Sequence, residues 1–140
     1  MSTKTYAADQ VNIIVGTRRL KGLAEGTFVE VVRRENTFTD SVGADGEVTR
    51  SKTSNRMADV TITLQQTSED NSYLQNLHNN DENSGAGIVP FKMTDKSGTL
   101  IVTGTESWIQ KPADVSFGRD SGERSWSIII AKADIIGGGN

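Results

Sequence analysis

The chain has no cysteine, which excludes a disulfide framework, a thiolate nucleophile and a Cys-ligated zinc site. It has one histidine, His78. A lone histidine makes no His/Cys metal cluster. A serine triad would have to use it, yet no G-x-S-x-G elbow surrounds any serine. His78 is therefore expected on a helix surface or in a helix C-terminal turn. No window approaches the roughly 18–20 apolar residues of a membrane span. Met1 to Gln10 lacks the basic-then-apolar layout of a secretory leader, so synthesis in the cytoplasm is expected, with no membrane partner.

Charge of one sign is scarce too. Fifteen basic and 18 acidic residues leave a formal charge of −3, which excludes a nucleic-acid binder that relies on a clustered basic surface. The pairs Arg18-Arg19 and Arg33-Arg34 lack interleaved aromatic residues and read as surface or intersubunit charges. Asp40, Asp45 and Glu47 do not have D-x-[DN]-x-[DN]-G spacing. They read, like Asp81-Glu82, as solvated turns rather than calcium ligands. Neither a P-loop nor a dinucleotide fingerprint occurs, since Gly137 to Gly139 are not followed by a helix. Nothing supports a catalytic carboxylate pair. No enzyme activity, metal or cofactor is expected.

What is present is β-structure. At 140 residues with 34% apolar content, the chain fits one domain, 1–140, with a thin core. The expected class is mainly β: an antiparallel sandwich or barrel of about six or seven strands with one short flanking α-helix. The clearest strand is 57–66, where Val60, Ile62 and Leu64 alternate with Asp59, Thr61, Thr63 and Gln65. One of its faces is apolar and the other wholly polar. In 26–34, Val29 and Val31 take one face and Phe28, Glu30 and Val32 the other. Further strands are expected at 11–15, at 99–109 with a bend at Gly104, and at 123–133, where Trp126, Ile128 and Ile130 face one way. Pro90 places 88–94 at a sheet edge or strand start. Ser68 followed by acidic residues predicts a helix over 69–79, ended by the loop 80–87. The glycine-rich tail, 137–140, is expected to be flexible.

The stretch 36–55 stands apart. It has almost no large apolar residues, and Asp45-Gly46 is a tight-turn signal. A long hairpin arm follows, built from Val42, Gly43, Asp45, Gly46, Glu47, Arg50, Lys52 and Asn55. Some 20 residues that contribute nothing to a core are generally functional or disordered. A polar strand face, a projecting arm and unpaired strand edges together point to self-assembly, because a free edge invites further pairing.

Several strings carry a resemblance. Tyr6-Ala7-Ala8-Asp9-Gln10-Val11 leads into IIVG, and Gly26-Thr27-Phe28-Val29 goes with Phe38-Thr39. VGADGEVTR and VTITLQQTS precede the helix; Trp108-Ile109-Gln110-Lys111-Pro112 and the strand around Trp126 follow. Over nearly its whole length the chain resembles tail tube proteins of contractile-tailed bacteriophages, a group also described as phage structural proteins of unknown function. The resemblance implies hexameric rings stacked into a hollow tube in the virion tail, through which DNA passes without specific binding. The sheath, baseplate and tail terminator proteins would be partners. On that reading Asp59, Thr61, Thr63, Gln65 and Glu30 face the lumen, the arm joins ring to ring, and Arg33 and Arg34 sit at a rim or interface. Two alternatives are a hexameric ring protein of a contractile secretion system and a carbohydrate-binding β-sandwich using Trp108 and Trp126 as its platform.

Overall fold

The computed structural model describes residues 3–138. A single 3-10 turn, Ala8–Gln10, leads into β1 (Val11–Val15), β2 (Arg18–Arg19) and β3 (Val29–Arg33). Next come β4 (Phe38–Val42), β5 (Val48–Lys52) and β6 (Ala58–Gln65), then the helix α1 (Asp70–Ser84). The chain ends with β7 (Val89–Asp95), β8 (Ile101–Lys111), β9 (Glu123–Ile130) and β10 (Asp134–Ile136). Eight strands form one sheet in the order β2-β1-β7-β8-β9-β6-β3, with β10 also on β8; β4 and β5 pair separately. The fold is mainly β and antiparallel, with more and shorter strands than the sequence predicts.

Period-two patterning decides which side of each strand is buried. Val60, Ile62 and Leu64 of β6 are fully buried, as are Trp126, Ile128 and Ile130 of β9. Their pairing is in register, Val60 against Ile128 and Ile62 against Trp126. Ile13, Val15, Phe91, Met93, Val102 and Ile109 complete one core. Val29 and Val31 of β3 are half-buried against it. Each large side chain removed from water in this way contributes about 1.5–3 kcal/mol.

The sheet is a single curled layer, and the segment after β2 joins its two ends. Leu20 N–H donates to Ile13 O (2.8 Å), while Ala24 N–H donates to Thr63 O (3.0 Å) and Gln65 N–H to Gly22 O (2.7 Å). The same short stretch thus bonds to β1 at its start and to β6 at its end, as a barrel requires. Closure is incomplete between β1 and β3, where Tyr6, Val11, Phe28, Val29, Met93 and Leu100 line an open groove of about 470 Å³.

Helix α1 lies against this barrel. Ser68 Oγ accepts from Asp70 N–H (3.3 Å) and donates to Lys21 O (2.6 Å). Leu74 is fully buried, and Tyr73 donates its hydroxyl proton to Val15 O (2.7 Å). Asn71 ties three parts together: its amide nitrogen donates to Gln65 O, Gln66 O and Ser68 O, and its oxygen accepts the Trp126 indole N–H at 3.0 Å.

Several expectations are corrected. The helix runs on to Ser84, through the polar string read as a loop. It stops at Gly85, whose φ of +72° is the left-handed conformation that glycine adopts without a Cβ penalty. Asp81 helps fix this end by accepting from Gly87 N–H at 3.2 Å. His78 lies in the body of that helix with its side chain only 14% exposed, Nδ1 standing 3.8 Å from Glu82. Pro90 is not on an edge, because β7 lies between β1 and β8. It stands at the strand start, the other place the sequence allowed, as the second residue of β7 and in the register shift between Val89 and Phe91. A residue without an N–H is tolerated where the ladder is already broken. Gly104 sits opposite that shift, and a Cβ there would run into Cγ2 of Ile130. Of the tail, Gly137 packs closely on the Thr99 backbone, and Gly139 and Asn140 lie outside the described residues.

Candidate functional site

Two surfaces remain after the core is accounted for, and neither resembles a catalytic cleft. Among the described residues no group of three or more His, Asp or Glu side chains could hold a metal ion, and no helix is long and apolar enough to cross a membrane. A groove of about 710 Å³ runs beside the start of α1 past Arg18, Lys21 and Ser68. Its buried carboxylate, Asp70, is occupied by the Arg18 guanidinium and the Lys21 N–H. Trp126 is 2% exposed and committed to Asn71, so it cannot serve as a sugar platform; this removes the carbohydrate-binding alternative built on it.

The first surface is the outward face of β3, β6 and β9. Register places Glu30 against Thr61 and Val32 against Asp59. On the other side of β6, Thr61 meets Ser127, Thr63 meets Ser125 and Gln65 meets Glu123. Thr61, Gln65 and Glu30 are exposed, and Asp59 and Thr63 half-buried. The Thr63 and Ser125 hydroxyls are 3.2 Å apart and share a hydrogen bond. Glu30, Asp59 and Glu123 are the outward charges on these three strands, and all are acidic. Two cations flank them. Arg34, just past β3, holds the Asp59 carboxylate at 3.0–3.2 Å, and Lys111, across the β8 register shift from Ser127, stands 3.6 Å from Asp114. Arg33 turns the other way and donates to Ala133 O at 2.7 Å, so the two adjacent arginines act on opposite faces. Ile129, also on the outward side, is buried beside Trp108; the one-sided reading of this strand missed it.

The second surface is the arm. Strands β4 and β5 pair from Phe38–Lys52 to Val42–Val48, and Gly43 N–H donates to Glu47 O (2.7 Å) to close the turn. Every residue of both strands is exposed. One face carries Phe38, Asp40, Val42, Val48, Arg50 and Lys52, with the Arg50 guanidinium 4.1 Å from the Phe38 ring. The other carries Thr39, Ser41, Thr49 and Ser51. Asp45, Gly46 and Glu47 lie in the turn, where Asp45 accepts from Glu47 N–H at 3.2 Å. Asn55 is not in the hairpin; it is half-buried at the base, and its side-chain oxygen accepts from Met57 N–H at 3.0 Å.

A sheet with one free end, a polar outward face and an arm with no partner of its own is what the comparisons with known proteins place in context. The chain is 34% identical over 146 residues to structural protein ORF10 of Pseudomonas phage KPP10, covering 99% of this chain and 84% of that one. Its fold matches the sheath/tube terminator of the PVC extracellular contractile injection system with a TM-score of 0.72 at 9% identity, covering 97% and 99% of the two chains. A chain of the sheath–tube complex of the same system gives 0.64 at 7% identity, with 96% and 93% covered. The tube-terminating cap of the anti-feeding prophage gives 0.60 at 6%, with 99% and 95% covered. These three establish a shared fold. Residues 8–138 match the family described as bacteriophage PhiTE tail tube protein, and with nearly the whole chain inside that match the protein belongs to this phage tail tube family.

Proposed function

We propose that the protein forms hexameric rings that stack into the tail tube, with the β3–β6–β9 face lining a lumen that conducts DNA. As a member of a tail tube family it is a structural component of the phage tail. The observation that carries the finer reading is the pairing of a one-sided polar sheet with a free edge. β3 ends the sheet. Phe28 O accepts from Thr63 N–H and Arg34 N–H donates to Met57 O. Antiparallel pairs alternate, so the backbone groups of Val29, Val31 and Arg33 point to the unpaired side. A neighbouring copy pairing there extends the polar face from subunit to subunit, and a head-to-tail contact whose rotation closes makes a ring.

The chemistry of that face suits passage. Val60, Ile62 and Leu64 are sealed in the barrel's own core, leaving Asp59, Thr61, Thr63, Gln65 and Glu30 for the lumen. Acidic groups repel the phosphate backbone, and no aromatic side chain points outward from these three strands to stack on bases. Arg34 reaches the same face only beyond the end of β3, at its rim, already paired with Asp59. The sheath, baseplate and terminator are the further partners on this reading. The arm supplies ring-to-ring contact, since a two-stranded hairpin with every residue in water is marginal by itself. Deleting 43–53 should leave folded rings and abolish long tubes in negative-stain electron micrographs. Tubes of normal length from that variant would refute the stacking role.

A further inference from the structure

Stacking by an arm requires a receiving surface on the opposite end of the next ring, and the positions of the exposed apolar residues locate it. The arm leaves the barrel where β3 ends and β6 begins: Arg34 N–H donates to Met57 O, and Thr53 N–H to Thr37 O. The other end of β6 lies about 25 Å away at 3.3 Å per residue. There Gln65 pairs with Glu123, and Gln66 and Gly122 exchange hydrogen bonds at 3.0 Å. The connection from β8 to β9 occupies this end. Ala113 anchors it in the core, and Arg124, itself 9% exposed, donates to Ser116 O at 3.1 Å.

Anchored on both sides, this loop nevertheless presents Val115 at 72% and Phe117 at 79% exposure. The Arg124 guanidinium lies 5.4 Å from the Phe117 ring. The other large exposed apolar side chains are placed elsewhere. Phe38, Val42 and Val48 are on the arm, Ile101, Ile135 and Ile136 on the β8–β10 pair, Val32 on the polar face, Tyr6 in the groove between β1 and β3, and Ile88 just before β7. Charge separates the two surfaces in the same sense. Around the loop stand Glu25, Asp114, Asp120 and Glu123 against Lys111, Arg119 and the largely buried Arg124, a small acidic excess, whereas the apolar face of the arm carries Arg50 and Lys52 against Asp40.

We infer that the loop 112–122 is the receptor for the arm of a second copy: Val115 and Phe117 of one ring pack on Phe38, Val42 and Val48 of the next. The acidic rim meets Arg50 and Lys52. The inference rests on the tube reading and adds the partner surface. Both patches are small, and each is exposed on its own subunit. Burying one against the other removes two apolar surfaces from water with a single contact, and the contact is directional because the patches differ.

The absence of cysteine makes the test clean. The full chain carrying Val42→Cys and Phe117→Cys, oxidised after assembly, should run as a covalent ladder on a non-reducing gel, with neither single variant doing so. Phe117→Asp and Val115→Asp should keep intact rings and shorten tubes about tenfold or more. Normal-length tubes from both aspartate variants, with no ladder from assembled double-cysteine tubes, would overturn the receptor while leaving arm stacking intact. No tubes from the unaltered chain would instead overturn the tube reading beneath it.

Discussion

The barrel strand β6 and the arm strand β5 are both extended and both paired, yet they differ in what pairing accomplishes. In β6 every second residue from Ala58 to Leu64 is buried, so the hydrogen-bonded ladder coincides with a core. In β5 every residue is exposed, and the ladder with β4 stands without one. On the proposed function, the same backbone geometry is used once to fold a subunit and once to offer a contact. Folding and assembly are then carried by different residues, and substitutions should separate them.

The largest effect is expected in the barrel. Trp126→Ala should cost about 3–5 kcal/mol of unfolding free energy, because it empties a core site and leaves Asn71 without its indole donor; urea denaturation of the purified chain measures it. A loss under about 1 kcal/mol would mean that the core is not what holds the fold. Gly104→Ala should cost about 1–3 kcal/mol by overpacking against Ile130, read as a lower Tm. If Tm is unchanged, the close approach of β8 and β9 is relaxed at little cost. Arg34→Ala should change stability by about 0–1 kcal/mol, since its ion pair with Asp59 is largely solvated, and the loss should shrink further in high salt.

The smallest expected effect on the subunit sharpens the comparison most. Phe38→Ser with Val48→Ser in the arm should alter unfolding by less than about 0.5 kcal/mol, as exposed substitutions do, while impairing tube growth followed by light scattering. A large destabilisation of the isolated subunit would show that the arm folds back on the barrel in solution, and the division between the two regions would fail.

Much of the barrel was legible in the chain, and the reason is local. Strict alternation in Asp59 to Gln65 sets its apolar face whatever the partner is, and Ser68 before Glu69 and Asp70 marks the start of α1. The helix end was not legible, because Asn79 to Ser84 have weak helical preference and are held by contacts such as Ser84 Oγ donating to Asn80 O at 2.7 Å and the cap at Gly85. β10, Asp134–Ile136, lies just past the run read as one strand to Ala133, in a stretch too short to signal a separate strand. Ile129 was overlooked because period two assigns it to the polar face, where Trp108 and Asp59 flank it across the sheet. Asn71, which joins helix, loop and core, has no sequence signal at all: an asparagine in a first helical turn is ordinary until an indole is placed above it.

The amino-acid order alone determined most of the residues that would leave water, Ile129 excepted, because side-chain polarity and a period of two need no knowledge of neighbours. It also determined that 36–55 could not join a core, having almost nothing apolar to bury. Only the tertiary structure decided where those surfaces lie. It put the polar faces of β3, β6 and β9 side by side, left β3 with an open edge, and set the arm and the Val115–Phe117 loop at opposite ends of one ladder. Those placements come from strand order and register between residues distant in sequence, and no local pattern encodes them.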